Sequence, residues 1–108
     1  MERDKLYLAH IVEAIGKIGA YTEGLAFEDF KKNTLVQDAV VRQLEIIGEA
    51  ARHVSETTRM KHPDVPWFEI SGMRNKLIHE YFGVDIQVVW KTITQDLRAL
   101  LEKLEGKK

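Results

Sequence analysis

The sequence predicts an all-α protein, an antiparallel up-and-down bundle of four main helices plus a short one. Three observations predict it. Apolar residues recur at spacings of three and four through almost the whole chain. The only two prolines, Pro63 and Pro66, fall in a single short segment. Helix start and stop signals bracket the periodic stretches and leave only short connections between them.

The first helix is expected from about Asp4 to Tyr21. Leu8, Ile11, Val12, Ile15 and Ile18 form its apolar stripe, with Glu13 and Lys17 on other faces. It stops near Gly24. Phe27 to Phe30 reads as a short helical piece or tight turn. The second long helix is expected to open on Thr34-Leu35-Val36-Gln37, a Thr-x-x-Gln capping box in which two reciprocal bonds satisfy orphan amides. Its stripe is Val36, Val40, Leu44, Ile47, Ala51 and Val54, widened by Leu35, Ala39 and Ile46, so that much of the helix is enclosed. Carried to Lys61 it would be roughly 40 Å long. That exceeds the diameter of a compact domain this small, so the helix either bends or runs past its own bundle.

His62-Pro63-Asp64-Val65-Pro66 is the clearest break. Pro66 suits the first turn of the next helix, where its missing N–H costs nothing. That helix is expected from about Trp67 to Phe82, with Gly83 as a left-handed stop. Asp85 then caps a last helix whose stripe is Ile86, Val89, Trp90, Ile93, Leu97, Leu100 and Leu104. No internal repeat or low-complexity segment is present, and the whole of 1–108 reads as one domain.

Composition narrows the function classes. Of 108 residues, 44% are hydrophobic and 31% charged, ordinary values for a soluble globular protein. There is no cysteine, hence no disulfide and no thiolate metal site. No apolar run approaches the ~18 residues of a membrane span, and no apolar signal core follows the mixed charges at the start. A cytoplasmic, non-membrane protein is expected. The net charge of −1 argues against a protein that coats nucleic acid non-specifically, although a local positive field can still serve an RNA-acting site.

The stretch Arg74-Asn75-Lys76-Leu77-Ile78-His79-Glu80-Tyr81 carries the chemistry. A guanidinium holds phosphate through paired hydrogen bonds. An imidazole moves protons near neutral pH. Together they make a kit for phosphodiester chemistry without a metal, and the phenol adds a donor, nucleophile or modification target. On a straight helix Arg74 and Tyr81 lie only ~20° apart, while Arg74 and His79 differ by about 140°. Ile70, Met73 and Leu77 form the apolar stripe of this helix, and Arg74, Ile78 and Tyr81 a neighbouring mixed stripe. Such a face suits contact with another subunit. On a two-fold axis, each site would hold both arginines and both histidines, one imidazole as base and the other as acid.

From spacing alone, an arginine, a histidine and a tyrosine on an amphipathic helix are usually rim residues that pack and hydrogen-bond. Other groups read as structural. His10, His53 and His62 have no HxxxH, HExxH or cysteine partner, so no metal site is expected. Glu45, Glu49, Arg52 and Glu56 read as a solvated, ion-paired face. Trp67 and Trp90 read as core or interface anchors. Gly72 weakens its helix by ~1 kcal/mol relative to alanine, and close approach of another helix is one reason to keep it.

The chain as a whole resembles the HepT-like (DUF86) branch of the HEPN family. The resemblance runs through RDKLYLAHIVEAI, YTEGLAFEDF, QDAVVRQLEIIGEAA, PDVPWFEISGMRNKLIHEYFGVD and VVWKTITQDLRAL. Arg74, His79 and Tyr81 fall on the family's Arg-x4-6-His-x-Tyr motif, and Asn75 is the polar residue usual after the arginine. Glu80 stands where relatives often carry glycine. The resemblance implies a HEPN-type all-helical homodimer whose paired motif helices line a composite cleft. It implies the toxin of a type II or type VII-like toxin–antitoxin pair, a metal-independent endoribonuclease acting on RNA and needing no cofactor. Its partner would be a minimal (MNT-type) nucleotidyltransferase that transfers AMP to the motif tyrosine, here Tyr81. Arg74 and His79 would be catalytic, with Asn75 and Tyr81 supporting. An intact motif is also compatible with a non-catalytic helical partner, or substrate, of such a transferase.

Overall fold

A computed structural model describes residues 2–72 and 86–105 of the chain. Every regular element among the described residues is a helix, as the periodicity predicts. Helix α1 is Glu2–Thr22. Its stripe meets the core through Ile11, Ile15 and Ile18, with Ile11 only 1% exposed. The helix ends as the sequence implies. Thr22 Oγ1 donates to the Ile18 carbonyl at 2.8 Å, the Leu25 amide closes on the Thr22 carbonyl at 3.0 Å, and Gly24 takes the left-handed conformation at φ 76°.

Helix α2, Phe27–Lys32, carries Glu28 and Asp29 in its first turn and Lys31 and Lys32 in its last, the charge order that suits its dipole. Asp29 Oδ2 accepts from the Ala26 amide at 2.9 Å. The helix exists to deliver Phe30, which is fully buried and lies 5.1 Å from the Trp90 ring.

Helix α3, Thr34–His53, departs from the expected start. Its cap is Asn33, whose Oδ1 accepts from the Val36 amide at 3.0 Å, so the Thr34 capping box does not form. Gln37 turns backwards instead. Its Nε2 donates to the carbonyls of Phe30 and Lys31 at 2.8 and 3.0 Å in the last turn of α2, where the Phe30 carbonyl also accepts from the Asn33 amide. Asn33 ends one helix and opens the next, so the cap must be the one residue that is helical in neither. Asn33→Ala should lower stability by about 1 kcal/mol, read from the urea midpoint. Leu35 is a further correction, being 79% exposed in the first turn of α3. The enclosed face widens toward Val41, Gln43 and Ala50 instead.

The long helix expected to reach Lys61 breaks at Val54-Ser55. Val54 and Ser55 are extended, and a separate helix α4 spans Glu56–Lys61. The break is built by side chains. Ser55 Oγ accepts from the Thr58 amide at 3.4 Å and caps α4. Asp4, buried in the first turn of α1, accepts from the Ser55 amide at 3.0 Å, from the Ser55 hydroxyl, and from the Thr58 hydroxyl at 2.6 Å. Of the two outcomes that helix length left open, the chain takes the bend.

Through the Pro63–Pro66 turn, the Val65 amide donates to the His62 carbonyl at 3.1 Å and the Trp67 indole N–H donates to the same carbonyl, also at 3.1 Å. Residues 67–72 are helical and are called α5. Pro66 stands one position before the helix rather than inside it, and its carbonyl accepts from the Ile70 amide at 3.1 Å. The expected Gly83 stop and Asp85 cap lie outside the described residues. The chain is again described from α6, Ile86–Lys91, which runs through a π-helical turn, Thr92–Asp96, into α7, Leu97–Leu104. Thr92 and Thr94 donate their hydroxyls to the carbonyls four residues back, Val88 and Trp90, at 2.9 and 2.7 Å. Such back-bonding loosens the helical ladder, and the wide turn falls there. Val89, Ile93, Leu97 and Leu100 are buried as expected.

Two ends of the bundle follow from these contacts. Asp4 of α1 meets Ser55 beyond the end of α3, so α1 and α3 are antiparallel. Lys103, late in α7, donates to the Asp64 carbonyl beside the start of α5. The opposite end holds α2 against α6 through Phe27, Phe30 and Trp90.

Candidate functional site

Arg74, Asn75, His79 and Tyr81 lie outside the described residues. What the structure does describe is the base from which they are carried. That base is α5 at residues 67–72, with the turn and α4 behind it. Trp67 and Ile70 are buried, as an anchored helix requires, while Phe68 is 86% exposed. Gly72 lies four residues on, on the same exposed side. A Cβ added there would meet nothing within 4 Å, so no described helix of this chain supplies the close approach that the glycine suggested.

The anchoring is polar as well as apolar. The Arg59 guanidinium lies 5.9 Å from the centre of the Trp67 ring, and it also holds backbone carbonyls at the end of α3. Asp4 organises the same region. Hydrogen bonds from the Ser55 hydroxyl, the Thr58 hydroxyl and the Ser55 amide hold its carboxyl at about 2, below the usual 3.8. Neither Asp4 nor Arg59 stands out in the sequence. The only local signal was Ser55 followed by Glu56, a cap residue before an acidic first turn. The apolar stripe running to Val54 obscured it.

A second polar feature lies between α1 and α3. Tyr7, His10, Arg42, Glu45, Glu49 and His53 line an open cleft of about 390 Å3. Glu49 accepts from Arg52 at 2.8 Å and pairs with His53 Nε2 at 3.2 Å, the ion-paired face expected from the sequence. Glu56 does not belong to that face. The break at Ser55 moves it into the first turn of α4, where its charge suits the helix dipole. Tyr7 stacks on His53 at 5.3 Å, an arrangement that local spacing could not reveal. Among the described residues no group of three histidines, aspartates or glutamates is placed to hold a metal ion. No described helix is long and apolar enough to cross a membrane.

The fold defines an all-helical protein whose Arg-x4-His-x-Tyr segment follows a firmly anchored helix start. The model of the HepT-like ribonuclease family matches residues 11–106, so the chain belongs to that family. It is 48% identical over 101 residues to "Probable ribonuclease HepT" of Thermococcus cleftensis, covering 94% of this chain and 92% of that protein. It is 43% identical over 105 residues to "Putative RNase TTE0752" of Caldanaerobacter subterraneus subsp. tengcongensis, covering 97% and 94%. It is 39% identical over 101 residues to "Putative RNase MJ1380" of Methanocaldococcus jannaschii, covering 94% and 93%. No solved structure matches the chain.

Proposed function

We propose that this chain is a metal-independent endoribonuclease, and that it serves as the toxin of a pair whose antitoxin is a minimal nucleotidyltransferase. The observation that carries the reading is family membership across residues 11–106 together with an intact Arg74-Asn75-x3-His79-x-Tyr81 segment. Arg74 binds the scissile phosphate and stabilises the charge that develops on it. His79 acts as general base on the 2′-hydroxyl or as general acid on the leaving 5′-oxygen. The 2′-oxygen bonds to phosphorus, the bond from phosphorus to the 5′-oxygen breaks, and the products are a 2′,3′-cyclic phosphate and a 5′-hydroxyl. Asn75, one helical turn behind His79, orients the imidazole or a phosphate oxygen. Two copies meeting along the motif helices give each cleft a second arginine and a second imidazole.

Tyr81 is the regulatory residue in this reading. Its phenolic oxygen attacks the α-phosphorus of ATP, pyrophosphate leaves, and a tyrosyl–AMP phosphodiester remains. The added negative charge pairs with Arg74 in place of RNA, and the adenosine blocks entry. The test incubates the chain with the adjacent transferase, ATP and magnesium and follows intact mass. Wild type should gain AMP units and lose RNA cleavage, while Tyr81→Phe should gain none. Modification that persists in Tyr81→Phe would move the target elsewhere. A wild type that never cuts RNA would leave the chain as a helical partner of the transferase.

A further inference from the structure

Tyr7 of α1 and His53 of α3 form a stacked pair in the cleft between these helices, with ring centres 5.3 Å apart and planes 22° apart. His10 lies nearly perpendicular to Tyr7, its ring centre 6.4 Å away. Glu49 holds the His53 imidazole through Nε2 at 3.2 Å, so the pair is oriented before anything binds. The His53 side chain is nevertheless 47% exposed. An oriented, half-exposed ring stack is a platform on which a further flat ring can lie. The charges around it are unevenly committed. Glu49 is taken by Arg52 and His53. Arg42 and Glu45 also line the cleft, and among the described residues neither has a hydrogen-bond or ion-pair partner. A guanidinium presents a fork suited to phosphate oxygens, and a carboxylate accepts from sugar hydroxyls.

We propose that this cleft is a binding site for a nucleotide. Arg42, Glu45, Glu49 and His53 follow one another at helical spacings of three and four, hence along one face of α3. A phosphate on Arg42, sugar hydroxyls on Glu45 and a base on the Tyr7–His53 stack fall in the order in which a nucleotide carries them. The cleft volume of about 390 Å3 lies within the range of small-ligand sites. The nucleotide is either free or one residue of a single strand, since both present the same three groups. Arg42 and His53 stand about 17 Å apart along the helix axis. A strand, with a phosphate on either side of each sugar, spans that length more fully than a mononucleotide. A duplex does not suit the site, because its bases stack on each other and offer no free face to the rings.

The test reads binding and does not depend on whether the chain cuts RNA. The His10 and His53 imidazole signals of the full chain are followed by NMR during titration with AMP, dAMP, inorganic phosphate and a 2′-fluoro hexa-adenylate strand. That strand has no 2′-hydroxyl to attack phosphorus. AMP and the strand should both move the two signals, the strand at lower concentration. Arg42→Gln and Tyr7→Leu should each weaken binding by about tenfold. Arg98→Gln, which removes a guanidinium from α7 outside the cleft, should leave it unchanged. dAMP should bind wild type more weakly than AMP, and the two should bind Glu45→Ala alike. A strand that binds no better than AMP supports the site and makes its ligand a free nucleotide. His10 and His53 signals that stay in place with every nucleotide up to about 10 mM overturn the proposal. AMP binding that is unchanged in Arg42→Gln and Tyr7→Leu overturns it as well. So does inorganic phosphate that moves the signals as far as AMP does, which would leave an anion site only. Should Tyr7→Leu fail to fold, the exposed Arg42→Gln decides.

Discussion

Alanine in place of His79 is expected to lower RNA cleavage in chelator-treated buffer by about two to four orders of magnitude, the usual contribution of a positioned acid or base. The size of the effect follows from what the residue is asked to do. A 2′-hydroxyl is a weak nucleophile until its proton is taken, and a 5′-oxygen is a poor leaving group until it receives one. An imidazole is the side-chain type suited to moving a proton near neutral pH. The chain should remain folded, because the described core is built from residues outside the Arg74-to-Tyr81 segment. Circular dichroism and the melting temperature check this, and cleavage of a labelled RNA, scored for a cyclic phosphate end, checks the chemistry. Cleavage at the wild-type rate by folded His79→Ala would remove His79 from the reaction. Arg74→Lys should also be impaired, since an ammonium keeps the charge and loses the bidentate fork.

Replacing Asp4 by alanine should give the largest loss of stability among the substitutions considered. One carboxylate accepts three hydrogen bonds, from the Ser55 amide, the Ser55 hydroxyl and the Thr58 hydroxyl. Alanine leaves the buried Thr58 hydroxyl and the part-buried Ser55 donors without their acceptor, and unmade bonds of that kind cost more than made ones contribute. A fall of roughly 5 °C or more in melting temperature is expected. The pH dependence has a definite sign. The folded-state carboxyl is held at about 2, below the usual 3.8. Ionised Asp4 therefore favours the folded state at pH values above about 3.8, and its contribution fades as pH falls from there toward 2. The stability gap between wild type and Asp4→Asn should be constant at neutral pH and shrink over that acid window. A gap that instead shrinks between pH 5 and 8 would show that another group governs the difference.

Much of the architecture was legible because its causes are local. The spacing of Ile11, Ile15 and Ile18, and of Val89, Ile93, Leu97 and Leu100, reports which side of a helix is buried wherever the helix packs. Gly24 can be read because a positive φ favours a residue without a Cβ. The Pro63–Pro66 turn can be read because proline constrains its own φ and its predecessor. The candidate site was legible as a motif and a family resemblance, and its residues lie outside the described part of the chain. The errors were of another kind. Thr34 and Asn33 are both good caps, and only the path of the chain from α2 decides between them. Leu35 fits the stripe by period but lies in the first turn, where the neighbouring helices do not cover it.

By itself the sequence determined the helical class, the buried faces and the turn at the prolines, and it offered the Arg-x4-His-x-Tyr segment as the candidate site. Each of these depends on residues a few positions apart. Tertiary structure decided where the long helix breaks and what packs around the start of α5. Ser55 becomes a helix start because Asp4, 51 residues earlier, accepts its amide and hydroxyl. Trp67 lies beside Arg59, whose guanidinium is held by the Val54 and Ala51 carbonyls where α3 ends at that break. Partners so far apart in sequence leave no periodic trace, since the free energy that favours the break arises only when α1 lies antiparallel to α3.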